Sequence, residues 1–155
     1  AKALEEGRVD GFWANAMGAE VAVRGGIGTL VIDARRGDGP PAARHYTFPA
    51  LVATQKKIDE QPEQVAAAVR AIAGAQRVLK ADPTLATEAA RKYFPAAETE
   101  LIAELVRRDA PFYDPAITRQ TADALNDFAR DIGLLSDTAT YEQVVATQLR
   151  KYWKI

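Results

Sequence analysis

Phe12, Trp13 and Asn15 close the run VDGFWAN just ahead of the amphipathic stretch AMGAEVAV, in a chain whose aromatic content is only 8%. Tryptophan offers a broad apolar wall with one N–H donor, and asparagine either caps a helix or donates to a ligand. With a helix opening at Asn15, its first amides and positive pole lie beside the indole, which suits an anionic or polar-headed small molecule. The same residues also read as plain structure, with Phe12 and Trp13 on alternate faces of a core strand and Asn15 as a cap. Both readings stand on the sequence. Met17, one turn on, reads as core, and RRDAPFYDP sets Phe112 and Tyr113 between helices, where core packing is the simpler role.

Elsewhere the chemistry thins out. His45 is the only histidine and there is no cysteine, so His-paired nucleophiles, multi-histidine metal sites, thiolate sites and disulfides have no residues within this chain. Between proline and glycine, His45 reads as a surface or hinge residue. No nucleophile elbow, phosphate-loop lysine or H-E-x-x-H motif occurs, and RGGIGT, from Arg24, follows a helical pattern and reads as a helix-to-strand turn. Glu5 with Glu6, Asp59 with Glu60, and Glu98 with Glu100 lie at helix ends or on helix faces, where they favour a helix pole or meet solvent. No catalytic residue, metal ligand or cofactor site is assigned.

The chain has 155 residues, 48% of them hydrophobic and 26% charged, which describes a globular protein with a sizeable core. A net charge of -1 supplies no general attraction to nucleic acid or to an anionic membrane. No apolar stretch is long enough to span a bilayer, and AKALEEGRVD lacks the pattern of a signal peptide. AKALEEG reads as the end of a helix with a glycine stop, so the chain is expected to begin inside a larger fold or after a processing boundary.

The elements that must hold these residues alternate at first. A helix to Glu6, a strand over 9–13, a helix over 15–24 and a strand over 29–33 imply parallel pairing across a helical crossover. RRGDGPPAAR marks a loop, and HYTFPALVAT reads as extended up to Thr54 with an interruption at Pro49. Helices follow. Pro62 opens one with Val65, Val69, Ile72 and Leu79 in a stripe broken by Gln76. Asp82 before Pro83 and Asp114 before Pro115 read as two further starts, the second leading to Gly133. Between them, Leu101, Ile102, Leu105 and Val106 repeat at helical spacing. Thr140 with Gln143 forms a capping box for a last helix with Val144, Val145, Leu149 and Tyr152 inward.

Leu4, Gly7, Val9 and Asp10 in ALEEGRVDGFW, then KKIDEQPEQVAAAVRAIAGAQRVLKADPTLA, then FARDIGLL with Tyr141 behind it, resemble the carboxyl-terminal half of substrate-binding proteins of nitrate/sulfonate/taurine-type ABC importers. That group includes binders of thiamine-pyrimidine precursors. Gly11 stands where the family has alanine. The resemblance implies an α/β, type II periplasmic-binding-protein fold. Residues 1–44 would end a parallel-sheet lobe, 45–54 would be a hinge or crossing strand, and the mostly helical 55–155 would return to the other lobe. It further implies that a small anionic or heteroaromatic solute is held between two closing lobes and delivered to an ABC permease. Phe12, Trp13 and Asn15 would form one wall, with Arg44 and Tyr46 near the hinge as further polar contacts, while an amino-terminal half outside this sequence would supply the rest. The implied location is the periplasm, or a lipid-anchored place on the outer face of the cytoplasmic membrane. Two other readings remain: a helical regulatory or protein-interaction domain using residues 65–79, and an enzyme like the thiamine-pyrimidine synthases.

Overall fold

The structure, a computed structural model, describes residues 1–46 and 49–154. It corrects the expected fold class. The chain is 61% helical and forms no strand or sheet among the described residues, so the α/β architecture with a parallel-sheet lobe is not what these residues build. Residues 9–13 and 29–33 were the expected strands, and both stay outside any ladder. Two short runs make at best a marginal sheet in water, and no third run joins them here. Among the described residues of the expected hinge strand over 45–54 none lies in a strand: His45 ends a 3₁₀ turn, Pro41–His45, and residues 49–54 carry no strand. Thr47 and Phe48 lie outside the described residues.

In chain order the α-helices are α1 (Lys2–Glu5), α2 (Ala16–Arg24), α3 (Gln55–Glu60), α4 (Pro62–Ala81), α5 (Leu85–Ala90), α6 (Ala96–Asp109), α7 (Arg119–Asp131) and α8 (Tyr141–Val144). They fall into two compact units, Ala1–Gly39 with Leu79–Phe112, and Pro40–Val78 with Tyr113–Ile155.

In the first unit α6 packs against both α2 and α5. Small side chains make the approach possible: Ala22, Ala86, Ala90 and Ala110 are buried together with Leu105. The start of α2 is written by Asn15, whose Oδ1 accepts the Gly18 N–H at 3.1 Å, and its end by Gly26 at φ 68°, a left-handed position that favours glycine. Charge fastens α2 to α6. Arg108 donates to Glu20 at 2.7 Å, and Arg24 donates to Glu20 at 3.1 Å and also to Glu104. The Asp82–Pro83 start shifts forward: Asp82 accepts from the Thr84 N–H at 2.9 Å in a turn, and α5 opens only at Leu85.

The second unit holds two apolar clusters. Val65, Ala66 and Leu149 are packed by Ile58, Val69, Ala146 and Tyr152, and Ala122, Tyr141 and Val145 by Ile117 and Trp153. Hydroxyl caps set its helices: Thr54 accepts from the Lys57 N–H at 3.1 Å and Thr118 from the Thr121 N–H at 3.1 Å. Asp114 therefore does not open α7; it caps a turn through the Ala116 N–H at 2.9 Å, ahead of the helix. The Thr140 capping box forms as the sequence predicts, but the last helix is cut to one turn. Backbone at Val145 turns extended, a 3₁₀ turn Thr147–Tyr152 follows, and Val144 is left exposed while Val145 and Leu149 go inward.

Candidate functional site

In the first unit, residues 11–15 run into α2 without a turn or bend. Trp13 is 81% exposed and Phe12 is exposed as well, so the reading of this pair as core residues has no counterpart here. Asn15 is the helix cap, with its side-chain oxygen engaged by Gly18. The amides of Ala16 and Met17 open the helix, where N–H groups have no intrahelical partner. An indole face, two backbone donors and the positive end of a nine-residue helix thus meet on one stretch of chain, which can grip a polar head and cover an apolar or aromatic body.

Arg44 and Tyr46 belong to the second unit. Arg44 is exposed at the end of the 3₁₀ turn. Tyr46 sets its ring against Phe128 with centroids 5.4 Å apart, which gives it a packing role on α7. His45, between them, shares a hydrogen bond with Gln120 at 3.2 Å between Nε2 atoms. Phe12, Trp13 and Asn15 are thus placed together on one unit, and Arg44 and Tyr46 side by side on the other.

Sequence reasoning missed a groove of about 390 Å³ lined wholly by the second unit. Leu51, Val52, Ile58, Val69, Ile72 and Leu149 give it apolar walls, and Gln55, Gln76, Gln143 and Gln148 give it amides. Asp114 and Glu142 also line it. Hydrogen bonding to Arg119 at 2.5 Å holds the Glu142 carboxyl below the usual range and raises the Arg119 guanidinium. Gln76 Oε1 is buried without a hydrogen-bond partner among the described residues. The stripe of α4 broken at Gln76 was the available signal, since one amide among aliphatic positions marks a face that meets something other than plain core. Size and lining match an ordinary small-molecule cleft.

Among the described residues no group of three or more acidic or histidine side chains is placed to hold a metal, and no helix is long and apolar enough to cross a membrane. No family model, curated protein or solved structure matches the chain.

Proposed function

We propose that this chain works in solute capture, as a binding component that holds a small polar-headed or heteroaromatic molecule for delivery to a membrane permease on the outer side of the cytoplasmic membrane. The observation that carries the reading is Trp13, an indole left 81% in solvent at the mouth of α2. Holding so large an apolar ring outside the core forgoes roughly 2 kcal/mol or more of burial, which a ligand recovers on binding. The resemblance of ALEEGRVDGFW to importer-binding proteins supports the same role.

Two tryptophans make the test direct, because Trp153 belongs to the second unit. In a Trp153→Phe variant the emission reports on Trp13 alone. Titration with alkyl sulfonates, nitrate, aminopyrimidines and aromatic acids is expected to shift that emission for one class. Trp13→Ala is expected to weaken binding of that class about tenfold or more, with helicity by circular dichroism unchanged. Silence from every class removes the reading.

A second reading has its own support. Ile72 and Val78 on α4 are exposed, although Val65 of the same stretch is buried in the second unit's own core. A helical interaction domain would use that exposed part of α4. Light scattering that shows a stable oligomer, with no ligand-dependent shift in melting temperature, would favour it over solute capture.

A further inference from the structure

The groove of the second unit carries charge of one sign. Asp114 and Glu142 line it, and among the described residues no lysine, arginine or histidine does. Arg119, which is not part of the lining, donates to Glu142 at 2.5 Å and answers that charge. Asp114 has no such counter-ion. Its Oδ1 accepts the Ala116 N–H at 2.9 Å, and no ion pair holds its carboxylate among the described residues. Pro115 follows directly, so the turn that presents this carboxylate is stiff. A second acceptor is idle. Gln76, on α4, lines the same groove, and its buried Oε1 meets no donor among the described residues. Two of the other lining amides are engaged, with the Gln55 nitrogen on Asp59 at 2.7 Å and the Gln143 oxygen on the Thr140 N–H at 2.7 Å. The charge left unanswered in the groove is therefore negative, and its buried idle atom is an acceptor.

We infer that this groove is a site for small organic cations: a protonated amine pairs with Asp114, an apolar or aromatic body lies along Val69, Ile72 and Leu149, and a second N–H or O–H donates to Gln76 Oε1. Other occupants fit less well. An anion would bring like charge to Asp114, with no cation in the lining to offset it. A neutral apolar molecule would strip water from the carboxylate without replacing its hydrogen bonds. Gln76 can turn to meet the donor, because its terminal torsion is soft and the chain makes no hydrogen bond to its oxygen that turning would break. A volume of about 390 Å³ suits a one- or two-ring amine. The stiff turn at Asp114 lowers the ordering cost of the ion pair. This site is independent of the mouth of α2, whose helix pole favours the opposite charge.

The probe is tryptamine, set beside three molecules of similar size: 1-methyltryptamine, which lacks the ring N–H, tryptophol, which is neutral, and indole-3-acetate, an anion. Each is titrated into the full chain by calorimetry, with methyl chemical shifts locating the contact. Tryptamine is expected to move the methyls of Val69, Ile72 and Leu149 and to bind about tenfold or more tightly than tryptophol. Loss of the ring N–H in 1-methyltryptamine is expected to weaken binding about fivefold. Indole-3-acetate is expected to leave those methyls in place. Asp114→Asn keeps an oxygen for the Ala116 N–H and is expected to erase the preference for tryptamine over tryptophol; should that variant lose helicity, the four molecules on the unaltered protein decide alone. Tryptophol or indole-3-acetate binding in the groove as tightly as tryptamine, or no methyl shift at millimolar tryptamine, overturns the inference. Shifts confined to Val21 and Val23 would put the amine on the first unit and overturn it as well. Equal binding of 1-methyltryptamine overturns the Gln76 contact. Groove methyls that move with protein concentration in the absence of any amine assign the groove to a second copy of this chain and overturn the choice of occupant.

Discussion

Asn126 ties α7 to the loop ahead of α8 within the second unit. Buried on α7, its amide donates to the carbonyls of Ala122 at 3.1 Å and Ala139 at 2.8 Å, and its oxygen accepts the Ala139 N–H at 3.1 Å. One side chain thereby satisfies both backbone groups of Ala139 in the loop that leads into α8, at a part-buried place. Asn126→Ala would strand the Ala139 groups and is expected to cost about 1 to 3 kcal/mol, read as a lower urea midpoint at unchanged slope. Nothing in the sequence marks Asn126, because its partners lie in a loop whose position depends on the finished packing. Asn15 was legible: a short polar residue ahead of an apolar period has a local job, and the Gly18 N–H takes it up. Trp13 was legible as a question only, since exposure is a property of neighbours.

Between elements, the ion cluster joining α2 and α6 carries a pH signature. Burial pushes the Glu20 carboxyl up, but hydrogen bonds from Arg108 and Arg24 outweigh it and hold its pKa below the ordinary glutamate value. The unfolded chain therefore takes up the proton first. This contribution to stability is complete above the ordinary value of about 4.3 and is lost as pH falls through the lowered folded value. Thermal melts are expected to drop more steeply over that acid range in the native protein than in Glu20→Gln. Helix starts show the same division between local and tertiary causes. Thr54, Thr118 and Thr140 cap through contacts inside one turn, whereas the two Asp–Pro pairs were read as starts and instead close turns ahead of the helices. An Asx turn and a helix cap use the same atoms, and a few residues of spacing do not separate them.

Across the whole molecule, near-neutral charge and exposed aliphatic runs act together. The isoelectric point is about 5.9, and Val31 and Val52 are 87% and 84% exposed. Repulsion between copies is weakest near that pH, so scattering from concentrated solutions is expected to peak around pH 6 and to fall when Val31 is replaced by lysine. The groove of the second unit belongs to this scale as well, because residues 49–53, α4 and the turns after α8 meet there from distant parts of the chain. By itself the sequence determined the helical runs of α2, α4 and α6, the caps at Asn15 and Thr140, the glycine stop at Gly133 and the inward places of Val65 on α4 and Leu105 on α6, all properties of spacing within a few turns. Tertiary structure alone decided that the runs at 9–13 and 29–33 form no sheet, that the groove exists and that Trp13 faces solvent. A helix closes its hydrogen bonds within one segment, but a strand, a cleft and an exposed face each need a second segment to be present or absent.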